Sequence, residues 1–129
     1  MQANLPKAAI IEDDTDLQFI YKMKLEAAGY QVATAGNGAE GLTLIEKFKP
    51  DVILLDLLMP IMGGAEMLAN LRTHAWASSM RVVILTNISK DEAPQALRFL
   101  SVDRYIVKAH HTPAQVVAVV GEVLGKKSP

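Results

Sequence analysis

Along this chain, short apolar runs that stop at polar residues alternate with stretches of helical periodicity. Ala8-Ala9-Ile10-Ile11 halts at Glu12-Asp13-Asp14 and predicts a buried strand. Asp16 to Ala28 repeats apolar residues at Leu17, Ile20, Tyr21, Leu25 and Ala28, which predicts a helix stopped by Gly29. Phe19 and Met23 fall off that stripe, on the outer face. Val32 to Ala35 predicts a second strand, and Gly36-Asn37-Gly38 a turn. Glu40 to Phe48 predicts a second helix with Leu42, Ile45 and Phe48 inward, ended by Pro50. The next strand, opening at Asp51, is apolar at Val52 to Leu55 and at Leu57, and Asp56 interrupts it. Ala65 to Thr73 follows as a helix with Met67, Leu68 and Leu71 inward. Arg81 to Thr86 predicts a fourth strand, and Asp91 to Leu100 a weaker helix with Pro94 in its first turn, where proline is tolerated. Arg104 to Val107 predicts a fifth strand that stops at Lys108. Thr112 then caps a helix that has Pro113 at its first position and runs through Leu124. Right-handed crossovers turn this alternation into a parallel sheet with helices on both faces. The pattern predicts a single domain over 1–129, with a core at about 8–124 and tails at 1–6 and 126–129.

Four of the strands end in polar groups: Glu12-Asp13, Asp56, Thr86 and Lys108. In a parallel sheet these ends share one edge, the edge at which open α/β sheets bind ligands. Two carboxylates about 4 Å apart repel by roughly 4 kcal/mol at an effective dielectric of 20. Such a group raises its own pKa values or recruits a cation. Oxygen donors without His or Cys select a hard divalent ion, Mg²⁺ first. A carboxylate beside Mg²⁺ and a lysine can act as a nucleophile toward phosphorus. Composition narrows the setting. The formal charge of −1 gives no electrostatic case for nucleic acid or an anionic membrane, and the absence of Cys removes thiolate chemistry. No apolar run approaches the roughly 18 residues of a spanning helix, and Met1 to Lys7 is too polar for a signal peptide, so a cytoplasmic domain is expected.

The order and spacing of these residues resemble the response-regulator receiver domains of two-component signalling, from Ala8 to about Leu124. The motifs are Ile11-Glu12-Asp13-Asp14, Pro50 to Asp56 with Met59-Pro60 and Gly64, Ile84-Leu85-Thr86, and Tyr105-Ile106-Val107-Lys108. The resemblance implies a flavodoxin-like doubly wound sheet of five parallel strands in the order 2-1-3-4-5. It implies Asp56 as phospho-acceptor from the phospho-histidine of a sensor kinase or phosphotransfer protein. Asp13 would hold Mg²⁺ directly, Glu12 through water, and the Leu58 carbonyl would be a further ligand. Thr86 and Lys108 would take phosphoryl oxygens, and Tyr105 would turn inward as Thr86 moves. Phe19 and Met23 would dock the partner's helices, against the plainer reading of scattered exposed apolar residues. A downstream target or output domain, or a second copy, would meet the face of the fourth helix, fifth strand and last helix, where the valines exceed one core stripe. The domain would assist only its own phosphorylation and dephosphorylation, and is not expected to be an enzyme.

The chain departs from the family at several places. Ala109 replaces the proline that commonly follows the lysine, which predicts a trans bond there. Asn87 replaces a small residue and would narrow access to Asp56. Leu58 and Ile88 are apolar and cannot orient a water, which predicts slow loss of phosphate. Ser101-Val102 replaces the frequent Gly-Ala. His110-His111 reads as a polar loop rather than a metal site, and Trp76 as a partly buried anchor. The rival reading is an interaction module of the same fold that signals without phosphorylation. An Asp-based phosphatase would need an acid where Leu58 stands, and a flavin phosphate would be repelled by Glu12-Asp13-Asp14.

Overall fold

The computed structural model describes residues 5–125. Of the expected tails, residues 1–4 and 126–129 lie outside the described residues. Strands β1 (Lys7–Ile11), β2 (Gln31–Ala35), β3 (Val52–Leu55), β4 (Arg81–Thr86) and β5 (Arg104–Val107) form one sheet in the order β2-β1-β3-β4-β5. All four pairings are parallel. Helices α1 (Thr15–Ala27), α2 (Gly38–Phe48), α3 (Gly64–Leu71) and α4 (Pro113–Val123) cover it. The expected order and the expected layering both hold.

The strand period of two sorts the core. Ala9, Ile11, Ile53, Leu55, Val82 and Ile84 point to one face, where they meet Ile45 of α2 and Met67, Leu68 and Leu71 of α3. Ala8, Ile10, Val52, Leu54, Val83 and Leu85 point to the other, against Tyr21 and Leu25 of α1 and Val116, Val119 and Val120 of α4. Strands buried on both faces explain why their sequences are apolar throughout. Side chains cap three helices. Asp14 accepts from Asp16 N–H at 3.0 Å and Leu17 N–H at 3.1 Å. Asn37 accepts from Glu40 N–H at 2.9 Å and starts α2 two residues before the expected Glu40. Thr112 and Gln115 close a capping box at the start of α4.

The helix expected over Asp91 to Leu100 is not formed. Two 3₁₀ turns stand there instead, Lys90–Glu92 and Gln95–Phe99. Pro94 is the cause: a proline ring drives the preceding residue out of the helical region, and Ala93 sits at ψ 149° and Pro94 at ψ 132°. The apolar face that could override this break is thin, since only Leu97 of the segment is buried while Phe99 is 84% exposed. Arg72, at the end of α3, braces the far end of the crossover. Its guanidinium donates to the carbonyls of Leu100, Ala77 and Ser101 at 2.9 Å each and of Met80 at 3.1 Å. Burial lowers the Arg72 pKa, opposed by the charge of Asp103.

Three smaller expectations change. Ile20 and Ala28, read as inward, are exposed, because Tyr21 and Leu25, with half-buried Leu17, fill the contact of α1 with the core. The surplus apolar residues of the last helix, Val117, Val123 and Leu124, are half-buried against the core, so they add little to an outer face. Trp76 lies at the surface, stacked on His74 at 5.1 Å with the Lys49 ammonium 3.7 Å over its ring. Among the described residues no helix is long and apolar enough to cross a membrane.

Candidate functional site

Backbone ladders carry the acids past the ends of their strands. Glu12 N–H donates to the Ala35 carbonyl at 2.9 Å, one step beyond β1, and Asp56 N–H donates to the Ile11 carbonyl at 3.0 Å, one step beyond β3. The two acids are therefore aimed by the sheet itself. Thr86 ends β4, and Lys108 follows β5 directly. All stand at one edge, as the strand-end pattern predicted.

Asp56 is buried, at 6% exposure. Its Oδ1 accepts from Leu57 N–H at 2.7 Å and its Oδ2 from Lys108 Nζ at 3.1 Å. Glu12 is also buried; its Oε1 pairs with the same ammonium and its Oε2 accepts from Asp14 N–H at 3.1 Å. Asp13 is exposed and completes a carboxylate triad with Glu12 and Asp56, whose ligand atoms lie within 4.8 Å of one another. Burial pushes the Glu12 pKa up, and the Lys108 bond offsets this only in part. For Lys108, burial acts downward, but the bond to Glu12 and the charges of Asp56 and Glu12 outweigh it, and its pKa is raised. The lysine is thus held as a cation between Glu12 and Asp56, while Asp13, the third carboxylate of the cluster, pairs with no cation among the described residues. That imbalance, all on oxygen, fits a hard divalent ion of the Mg²⁺ kind. The Leu58 carbonyl accepts no hydrogen bond among the described residues, so it too is free to donate to a cation.

Thr86 is 1% exposed, and its Oγ1 is buried without a partner. A native hydroxyl in that condition asks for an explanation. A bound anionic oxygen at this edge would supply the missing acceptor. Tyr105 stands on β5 opposite Ile84, two residues before Thr86, and donates its hydroxyl proton to the Ile88 carbonyl at 2.7 Å, with the Ser89 carbonyl at 3.3 Å. Burial raises its pKa, with smaller contributions from the Asp56 and Glu92 charges.

The flanking residues follow the expectations unevenly. No cis peptide occurs among the described residues, so the Lys108–Ala109 bond is trans as expected. Asn87 is exposed and does not bury itself over Asp56. Leu58, two residues beyond Asp56, is 66% exposed. Phe19 and Met23 are 60% and 53% exposed on α1, and Ile20 joins them at 39%. His110 and His111 belong to no metal-holding cluster among the described residues. Three contributors have roles that the pattern does not show. Asp14 serves as helix cap and not as part of the acid pair. Gly64 lets α3 start directly behind Asp56. Gln18 donates to the main-chain carbonyls of Glu12 and Ala35 at 2.9 and 3.2 Å.

Comparison with known proteins adds an independent line. The family model described as response regulator receiver domain matches residues 8–120. The phosphate regulon transcriptional regulatory protein PhoB of Rhizobium meliloti (strain 1021) is 31% identical over 127 residues, covering 97% of this chain and 55% of that protein. The transcriptional regulatory protein PrrA of Mycobacterium tuberculosis is 31% identical over 122 residues, covering 95% of this chain and 51% of its own. The chain spans about half the length of these curated relatives. Among solved structures, the chemotaxis response regulator CheY4 of Vibrio cholerae matches with a TM-score of 0.85 at 26% identity, over 93% of this chain and 99% of that one. A CheY-like receiver domain protein of Methanospirillum hungatei matches with a TM-score of 0.85 at 29% identity, over 95% of each chain.

Proposed function

The chain belongs to the response-regulator receiver family of two-component systems, and on that footing we propose that Asp56 accepts a phosphoryl group from a phospho-histidine partner. The observation that carries this reading is the buried, unpartnered Thr86 hydroxyl at the same edge as the Asp56–Lys108 pair. An Asp56 carboxylate oxygen forms the new O–P bond. The P–N bond to the donor imidazole breaks, its electron pair stays on nitrogen, and the ring takes up a proton. Lys108 passes from Asp56 Oδ2 to a phosphoryl oxygen, and Thr86 donates to another. Glu12, Asp13, Asp56 and the Leu58 carbonyl would hold Mg²⁺, which supplies charge neutralisation when bound. In the absence of phosphate, Lys108 holds part of that negative charge in check. Labelling by a small phosphodonor such as acetyl phosphate, dependent on Mg²⁺ and lost in Asp56→Ala, tests the reading. Labelling that persists in Asp56→Ala would refute it.

Phosphorylation biases two conformations only by its differential interaction with them. Thr86 is the lever, since capture of a phosphoryl oxygen draws the end of β4 toward Asp56. Tyr105 is the follower, through its bonds to Ile88 and Ser89 just beyond Thr86. The output face is then β5, α4 and the irregular crossover with exposed Phe99, and it meets a target protein, an output domain or a second copy of this chain. Its partner on the input side docks on Phe19, Ile20 and Met23. Phe19→Ala is expected to slow transfer from the phospho-histidine partner several-fold while leaving labelling by acetyl phosphate unchanged. Equal rates for Phe19→Ala and the wild type with the protein donor would remove the docking role.

Loss of the phosphate should be slow. The side chains of Leu58 and Ile88 have no group that can orient a water, and the Ile88 carbonyl is already engaged by Tyr105. Leu58→Asn supplies such a group at this exposed position. Its aspartyl-phosphate is expected to decay several-fold faster than that of the wild type, measured by the decline of labelled protein after the donor is removed.

A further inference from the structure

Asp13 presents a puzzle that its neighbours do not. Glu12 and Asp56 have carboxylates fixed by Lys108 and by main-chain N–H groups. The Asp13 carboxylate has no hydrogen bond or ion pair among the described residues, and it is exposed. Only its backbone can aim it. The peptide unit between Glu12 and Asp13 sets that aim, because rotating it turns the Asp13 Cα–Cβ bond toward or away from Asp56. One side chain grips this unit. Gln18, one turn into α1, donates from Nε2 to the Glu12 carbonyl at 2.9 Å and to the Ala35 carbonyl at 3.2 Å. The Ala35 carbonyl also accepts Glu12 N–H at 2.9 Å. The amide group therefore ties the acid loop to α1 and to the end of β2 at once.

We infer that Gln18 is a positioning residue for the divalent cation: by holding the Glu12–Asp13 peptide plane through the Glu12 carbonyl, it fixes the direction of the otherwise unheld Asp13 carboxylate. The inference rests on the proposed reading of Glu12, Asp13 and Asp56 as the metal site. Gln18 touches neither the cation nor the reacting atoms. Its action resembles that of outer-shell groups that orient metal ligands, whose removal costs metal affinity more than fold. The amide must donate here, because both partners are carbonyl oxygens. An apolar residue of the same length keeps the helix but releases the peptide plane.

The test is Mg²⁺ binding by titration calorimetry on the otherwise unaltered chain, without any phosphodonor, alongside thermal midpoints. Gln18→Met is expected to weaken Mg²⁺ binding about tenfold. Leu25→Val, which loosens α1 from the core without touching the loop, is expected to lower the thermal midpoint yet bind Mg²⁺ as the wild type does. If Gln18→Met binds Mg²⁺ as tightly as the wild type, the inference is overturned. If Leu25→Val weakens binding as much as Gln18→Met, the effect is general loosening and the inference is overturned as well. Should Gln18→Met fail to fold, Gln18→Leu is read against the same outcomes. If the wild type itself takes up no Mg²⁺, the metal reading of the acids falls first, and the Gln18 role with it.

Discussion

Gly64→Ala is expected to lower the folding free energy by about 3 kcal/mol or more, at or beyond the upper end of what forced overpacking costs. A Cβ at this position would overlap the Asp56 carbonyl oxygen and lie 3.0 Å from the Asp56 carbonyl carbon and 3.1 Å from Leu57 Cα. All three are main-chain atoms, so no side chain can swing away to relieve the contact. Gly64 N–H also donates to the Leu57 carbonyl at 3.0 Å, which fixes the start of α3 against the strand end. Relief would require moving α3 away from β3 or moving Asp56. Either shift damages the site, so labelling at Asp56 should fall together with stability. Gly36→Ala is the control. A Cβ there meets nothing within 4 Å, and its cost should stay within about 0.5 kcal/mol, as for surface changes elsewhere. Urea unfolding of the two variants measures the difference directly.

The second large effect concerns charge. Lys108→Met is expected to cost about 3 kcal/mol at neutral pH, the lower end of the range for removing one partner of a buried ion pair. Lys108, Asp56 and Glu12 have side chains only 10%, 7% and 3% exposed, so water screens the remaining acids poorly. The sign with pH comes from two raised pKa values. Lys108 is raised above 10.5, so its contribution is complete below that value and is lost only as pH climbs through the higher folded value. Glu12 is raised above 4.5, so folding is favoured below 4.5 and the advantage is lost as pH rises through its folded value. Removing Lys108 also removes the bond that restrains Glu12, and the loss above 4.5 grows. The deficit of Lys108→Met should therefore shrink in mild acid and widen toward neutrality. Mg²⁺ should narrow it at neutral pH, since a divalent cation can balance the same carboxylates. Denaturant midpoints across the acid-to-neutral range, with and without Mg²⁺, measure all three statements. A deficit that is flat with pH would show that packing of the lysine stem, rather than its charge, matters here.

The candidate site residues were legible because they break a strong pattern. Asp56 interrupts an apolar strand, and Thr86 and Lys108 terminate two others. A parallel sheet brings such ends together whatever the details of the helices, and the family resemblance supplied the strand order. The features that were not legible depend on contacts that leave no periodic trace. Pro94 could be read as a first-turn proline, yet the apolar positions around it were too few to hold a helix against its restriction on Ala93. Ile20 fitted the helical stripe on paper, but α1 touches the core over a narrower arc than its sequence suggests. Gln18 and Arg72 both act on main-chain carbonyls. Such carbonyls exist at every residue, so no partner residue in the sequence announces the bond. The clash at Gly64 is likewise a property of two backbones meeting, seen only when α3 is set behind β3.

The expected state is Asp56 carrying a phosphoryl group as a mixed anhydride. Its most direct test is the intact mass of the protein after incubation with acetyl phosphate, with and without Mg²⁺, before and after hydroxylamine, which cleaves acyl phosphates. The expected result is a gain of one phosphoryl group that requires Mg²⁺, disappears with hydroxylamine and does not form in Asp56→Ala. An unchanged mass under all conditions, with the protein folded, would contradict the account and favour a receiver fold that signals without phosphorylation.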